Sequence, residues 1–378
     1  MRRALLGLTM ASCVAACGAS SPPRPSVTPK RTATPTATPT PDPCAVTAQA
    51  PPTGSIPANF ATALAFAPDG RLFYTERAGT VKVWQDGGVH DFSTVSTVTT
   101  EPGGGYSERG LLGLAISPTF KSDRYVYAFY SDANYSDQHV IRWTDCKGTG
   151  MNPTLLLTFP AGPDCCHKGG RIAFGTDGKL YVTLGEEHTA GAAQNTSDAR
   201  GKILRYNADG SVPPDNPFGT GNPVWAYGFR NPFGLAIASS GQMAVTNNGP
   251  SGDAGSPGTG YDTLVLNVQR GQGYQWPLCY GYSHTLQQAG CGGQPQPDWS
   301  SERTTYVPTG AAFVDALGPA PYASHLVFCT FDRGMLVVSP GSPHASVSSG
   351  DAGCRTAVVE GPDNALYFSD TTTIHRIA

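Results

Sequence analysis

Charge is scarce in this chain. Only 14% of its 378 residues are charged, and 25 basic against 28 acidic side chains leave a net charge of −3. The basic residues are scattered and form no stripe, so nucleic acid is not an expected partner. Helical periodicity is missing as well, which argues against any helical architecture. No Cys-x-x-Cys pairs stand at zinc-site spacing. Beyond the first residues, no segment is long and apolar enough to be a transmembrane helix.

What is abundant is turn chemistry. Forty-six Gly and 33 Pro with little charge fit an all-β fold full of tight turns. At the N-terminus, Arg2 and Arg3 precede the uncharged stretch Ala4 to Ala16, which has signal-peptide length and is too short to span a bilayer. Val14-Ala15-Ala16-Cys17-Gly18 resembles a bacterial lipobox, which implies cleavage before Cys17 and lipidation of that cysteine. Plain secretion with cleavage nearby is the alternative. Residues 19–43 are almost all Pro, Thr, Ser and Ala, a composition that cannot offset its ordering entropy by burial and so reads as an extended tether. The expected layout is a leader at 1–16, a lipidated linker at 17–43 and a folded domain at 44–378. Lipid would be its only membrane contact, at the outer face of the membrane, periplasmic or on the cell surface.

With Cys13 in the leader and Cys17 reserved, eight cysteines remain: 44, 146, 165, 166, 279, 291, 329 and 354. An even number in an exported chain predicts disulfides. Cys279 and Cys291 make an attractive local loop. Cys165 and Cys166 can close an eight-membered ring, but the preferred expectation is that each pairs elsewhere, for instance with Cys146, and stiffens its loop.

One pattern recurs: a small-apolar strand, a Pro/Gly/Asp turn, then a strand of aromatic and aliphatic residues. It stands at 64–77, 113–131, 171–186, 234–249, 311–331 and 358–377. Each copy reads as two strands joined by a hairpin, with Asp-Gly supplying the turn in several. Spacings near 50–75 residues leave room for four strands and a variable loop, so six copies predict a six-bladed β-propeller. A β-sandwich would not predict sixfold recurrence. Propeller loops converge on the central channel, so the stretches 133–170, 187–233 and 250–310 were the expected insertions carrying chemistry.

Within DCCHKGGRIAFGTDGKLYVTLGEE (164–187), His167 sits on a Gly-rich loop just before a strand, where an imidazole can accept a proton. A lone histidine there would be read as a surface or turn residue. Three further segments surround it in order: ERGLLGLAISPTF (108–120), GKILRYNADGSVPPDNPF (201–218) and WAYGFRNPFGLAI (225–237). Together with HKGGR they resemble the glucose/sorbosone dehydrogenase family, over roughly residues 55–378. The animal hedgehog-interacting proteins share that fold.

The resemblance implies a propeller that holds pyrroloquinoline quinone (PQQ) and Ca2+ near its axis. It implies that a sugar gives its hydroxyl proton to a histidine and its hydride to the quinone, whose electrons pass to an external acceptor. His167 matches the catalytic base; Asp164 is offset from the position of the acid that precedes it in the family. Arg230 and Asn231 match the quinone-contacting pair, since a guanidinium suits carboxylates and developing negative charge. Glu108 matches a substrate-side polar residue, with an ion pair to Arg109 as the plain alternative. Gly249 and Pro250 match the segment whose carbonyls bind calcium, and Asp262 and Tyr274 are candidate further ligands. The chain departs from the pattern at Asp332 and at Gly353-Cys354-Arg355, where the family carries cations. Arg333, Arg355 and Lys168 are the cations left nearby. Two other readings compete: a non-catalytic carbohydrate- or protein-binding propeller, and a calcium-dependent lactonase built on Glu186, Glu187, Asn195 and Asn247.

Overall fold

The computed structural model describes residues 42–162, 164–286 and 290–378. The leader, Cys17 and nearly all of the expected tether lie outside the described residues. Within them, strands gather into six four-stranded antiparallel sheets and one small two-stranded sheet. The six-bladed propeller expectation holds.

Blades 1 to 5 each use four successive main strands, beginning with Ala61–Phe66, Leu111–Ile116, Gly169–Phe174, Gly234–Ile237 and Pro308–Phe313. Blade 6 is closed differently. Its strands Ala357–Glu360, Leu366–Ser369 and Thr373–Ile377 come from the C-terminus, and Ile56–Pro57 from the beginning of the domain completes the sheet. Each copy of the sequence repeat is the inner hairpin of one blade. The stretches 133–170 and 187–233 are therefore corrected from insertions to ordinary structure, because they hold the outer strands Asp137–Cys146, Thr149–Pro160, Lys202–Tyr206 and Val224–Tyr227. Only 250–310 carries a true excursion, with the small sheet of Cys279–Tyr280 and His284–Thr285 between two strands of blade 4.

Small residues on the inner strands let six sheets meet at one axis. A Cβ on Gly234 would sit 2.0 Å from the Thr309 carbonyl of the next blade, and one on Gly113 would sit 2.3 Å from the Gly170 carbonyl. Between blades, aromatic and aliphatic side chains from adjacent sheets fill the gaps; Phe73, Phe92, Leu114 and Val126 form one such cluster. Among the described residues no helix is long and apolar enough to cross a membrane.

Four disulfides are present: Cys44–Cys146, Cys165–Cys166, Cys279–Cys291 and Cys329–Cys354. The Cys279–Cys291 loop is as expected. The expectation for Cys165 and Cys166 is corrected, since they join each other. Cys146 ends the ten-residue strand Asp137–Cys146 and lies at the far end of blade 2. At roughly 3.3 Å per residue that strand puts it about 30 Å away, and Cys44 takes it instead.

Candidate active site

Every inner strand runs away from one end of the propeller. Each blade therefore presents at that end the residues just before its first strand and just after its second. His167 precedes Gly169–Phe174, and Glu186 follows Leu180–Leu184 of the same hairpin, where Gly169 pairs with Leu184. The loop is bent for this purpose. His167 has φ 59°, and a Cβ on Gly185 would fall 1.8 Å from the His167 carbonyl. Only glycine at 185 admits that approach.

His167 is 3% exposed and its Nδ1 is hydrogen-bonded to Glu186 Oε1. Burial, with the Arg230 guanidinium second, pushes the imidazole far below its ordinary value, so it is neutral near pH 7. With Nδ1 engaged, Nε2 is the nitrogen left to accept a proton. Burial pushes Glu186 up, to about 7, and its Oε2 is buried without a partner. The His188 ring stacks on His167 at 4.1 Å between centroids. Asp164 contributes only its carbonyl, to Arg109 Nη2 at 3.1 Å; the carboxylate beside the imidazole is Glu186.

Glu108 and Asn231 are brought to the same place. Asn231 Nδ2 donates to Glu108 Oε2 at 3.0 Å, and Asn231 Oδ1 accepts from the Gly169 amide at 3.0 Å. The Lys168 amide donates to Glu108 Oε2 at 3.2 Å. Glu108 thus ties blade 2 to the His167 loop, whereas Arg109 turns toward the Gly162 carbonyl at 2.7 Å.

Arg230 has partners the sequence reading did not foresee. Asp253, from the loop after blade 4's second strand, receives its Nε and Nη2 at 2.8 Å each. Its Nη1 donates to the Gly249 carbonyl. The Asp253 carboxylate also lies within 4.8 Å of the facing atoms of His167 and Glu186.

The calcium residues do not assemble a calcium shell. Gly249 offers a carbonyl already bonded by Arg230, and it lines a narrow cleft with Pro250 and Tyr274. Asp262 is buried with Oδ1 accepting from Gly249 N at 2.8 Å and Oδ2 from Tyr306 N at 2.7 Å and Val307 N at 3.2 Å. It is a clamp on three main-chain amides. The Tyr274 ring packs on Phe229 at 4.9 Å, and its hydroxyl accepts from the Gln269 amide at 3.2 Å.

Beside this network opens a cavity of about 500 Å3, lined among others by Phe60, Arg77, Glu108, Arg171, Asn248 and Phe331. His167 stands behind its wall, next to Glu108. The cations named from sequence are elsewhere. Arg333 donates to the Thr305 carbonyl at 3.1 Å and lies over Tyr306, Arg355 faces an adjoining groove, and Lys168 forms a buried pair with Glu187.

The cavity's cations are Arg77 and Arg171. Arg77 donates to the main-chain carbonyls of Thr99, Ser107 and Arg109. Arg171 reaches across the axis to carbonyls of Thr62, Leu112, Phe233 and Thr356, brought by four other blades. Burial alone lowers it to about 10. Neither guanidinium meets a carboxylate within ion-pair distance among the described residues. The signal for Arg171 was its place in HKGGR. The signal for Glu186 was its place in LGEE, but only strand register sets it opposite His167.

The lactonase residues do not converge. Glu186 faces His167, Glu187 faces Lys168 and Gln138, Asn195 caps the Ser197 amide at 3.0 Å, and Asn247 Oδ1 accepts from Arg230 N and Asn231 N.

Known proteins resemble this arrangement. Quinoprotein glucose dehydrogenase B of Acinetobacter calcoaceticus is 32% identical over 256 residues, covering 58% of this chain and 50% of that protein. Aldose sugar dehydrogenase YliI of Escherichia coli is 31% identical over 232 residues, covering 57% and 58%. The matches therefore span 50% and 58% of the length of these curated relatives. A solved PQQ-bound aldose sugar dehydrogenase from Streptomyces coelicolor superposes with a TM-score of 0.67 at 25% identity, covering 86% of this chain and 99% of that one. The family model for glucose/sorbosone dehydrogenase matches residues 58–373, most of the chain, and the protein belongs to that family.

Proposed function

We propose that the chain is a PQQ-dependent dehydrogenase that oxidises an aldose or related sugar to its lactone. The observation that carries this reading is the His167–Glu186 pair. The pair gives a buried, neutral imidazole whose free nitrogen can take the hydroxyl proton as hydride leaves the same carbon. The quinone, when bound, supplies the hydride acceptor and passes electrons to an external oxidant.

The cavity's chemistry fits a multiply anionic quinone. Arg77 and Arg171 put two guanidiniums at its wall, neither in an ion pair among the described residues, against the carboxylates of Glu108 and Asp332. Both cations favour carboxylate oxygens and stabilise negative charge in a site sheltered from water. Glu108 lines the cavity and can accept from a sugar hydroxyl, and the Asn231 amide holds it beside the His167 loop. Calcium does not fit the oxygens as arranged, with the Gly249 carbonyl taken by Arg230 and Asp262 by main-chain amides.

The test is reconstitution of the purified chain with PQQ and a sugar panel, read by dye reduction, with quinone binding followed by absorbance. Saturable binding and lactone formation support the proposal. Lack of quinone binding overturns it. One observation favours a second reading, a binding propeller: Arg230 and Lys168 are both held in internal ion pairs. Sugar or protein binding with no quinone uptake would establish that alternative. The motif at Cys17 supports export and lipid anchoring, which mass spectrometry of the mature N-terminus checks directly.

A further inference from the structure

Cys165 and Cys166, the two residues before His167, are joined to each other through their side chains, and both are half-buried beside the site. The other three disulfides close loops of 12 to 102 residues and can hold the fold together. A bond between neighbours can hold only a local conformation. Upstream of it the chain is tied to blade 2. The Cys165 carbonyl accepts from the Glu108 amide at 2.9 Å and from Ser107 Oγ at 3.2 Å, and the Asp164 carbonyl accepts from Arg109 Nη2 at 3.1 Å. Downstream, Glu108 takes the Lys168 amide and Asn231 the Gly169 amide. Between these ties, the amides of Cys166 and His167 have no hydrogen-bond partner among the described residues. Yet His167 sits at φ 59°, a conformation that a residue with a Cβ keeps only when it is held there.

We propose that the closed Cys165–Cys166 ring is the positioning element for His167, and that the imidazole stays on Glu186 only while the ring is intact. The inference rests on the dehydrogenase reading and deepens it. Two paths lead from the ring to the imidazole. The first is the main chain, since a bond between adjacent side chains restrains the dihedrals of the peptide between them, and His167 is the next residue. The second is His188. Its ring nitrogen lies within 4.8 Å of both sulfurs, and its ring lies flat on His167, with 4.1 Å between centroids and 7° between planes. Glu186 thus holds the edge of the imidazole, His188 its face, and the ring the backbone that carries it.

Opening the ring acts on both paths together. A dithiol reductant attacks one sulfur as its thiolate, forms a mixed disulfide and frees the other cysteine. Its second thiol then displaces the first cysteine, leaving two cysteine thiols and an oxidised, cyclic reductant. Two unbonded sulfurs need van der Waals separation, wider than a disulfide bond, so the side chains part. The ring beside them is that of His188, which is exposed and can yield. Without its stacking partner and its restrained peptide, His167 relaxes from the left-handed conformation and its imidazole leaves Glu186.

The experiment compares the purified chain with the double variant Cys165→Ser, Cys166→Ser, each before and after treatment with dithiothreitol. His167 is followed by diethyl pyrocarbonate labelling and mass spectrometry without quinone, and kcat and KM by dye reduction with it. His167 labelling should rise about tenfold or more in the variant and in the reduced chain, as a local opening exposes the imidazole. It should return to its first value on reoxidation and not respond to dithiothreitol in the variant. In step with labelling, kcat should fall about tenfold or more while KM for sugar stays within about twofold, the pattern of a displaced base and not of a damaged binding site. Labelling of His167 that neither treatment changes overturns the proposal, as does a response to dithiothreitol that persists in the variant. A chain that reduces no dye with any sugar overturns the dehydrogenase reading instead, and the labelling still decides the role of the ring.

Discussion

The two walls of the site are built on opposite plans. On blades 2 to 4, His167, Glu186, Glu108, Asn231 and Arg230 are each held by at least one partner from another segment. On blades 5, 6 and 1, Phe60, Phe331, Asp332 and Arg355 stand at an open rim with few partners. A side chain that must accept a proton in one geometry needs supports that fix it. A surface that must admit and release ligands needs exposed faces instead. Under the proposed function, the first is the reacting wall and the second the recognition wall.

The comparison can be broken most sharply at His167. Changing it to Ala should lower kcat by roughly 100- to 10,000-fold, the range of a general base, while quinone affinity changes little. Loss of quinone binding in that variant, seen by absorbance titration, would place His167 in cofactor binding instead. Glu186→Gln should lower kcat by up to about 10,000-fold through loss of the imidazole's tautomer and orientation, the effect of amidating the buried acid of a Ser-His-Asp triad. Burial lowers His167 and raises Glu186 to about 7, so as pH falls the carboxylate takes the first proton. A protonated Glu186 donates to Nδ1 and leaves Nε2 without its lone pair, so the acid limb of kcat/KM should follow the carboxylate near 7, and a limb that Glu186→Gln leaves in place would contradict this.

Asp253 tests whether the two walls are independent. Asp253→Asn removes the charge that holds Arg230. Quinone affinity should rise about tenfold, since a freed guanidinium gains a carboxylate partner. Sugar affinity should not change, and a joint change would merge the walls. The smallest effect on stability is expected at Cys165 and Cys166. A bond between neighbours restrains almost no chain, so replacing both by Ser should change stability by under about 0.5 kcal/mol, whereas opening Cys44–Cys146, 102 residues apart, should cost about 4–5 kcal/mol. Chemical denaturation separates the two.

The reacting wall was largely legible in the sequence, and the recognition wall was not. Short motifs carried His167, Glu108 and Asn231 by resemblance alone, since Glu186 lies 19 residues from His167 and Glu108 lies 123 from Asn231. Glu186 was visible but misassigned, since only the Gly169–Leu184 register puts it against His167. Arg230 was named as a quinone contact, yet the structure holds it on Asp253, in the 250–310 excursion where no repeat fixes alignment. Arg77 and Arg171 were missed as wall cations because the cavity exists only once all six blades close. Phe60 and Phe331 come from opposite ends of the chain, and nothing local marks them as neighbours.

Arg171 lines both the 500 Å3 cavity and a separate channel of about 530 Å3 walled by the inner strands of all six blades. Its guanidinium, seated among carbonyls from four other blades, bars traffic between them. A chamber stopped at its inner end has one doorway. Whatever enters must leave by the same route, so under the proposed reaction the spent sugar has to vacate before the oxidant can be served. Turnover in such a vessel is a matter of taking turns.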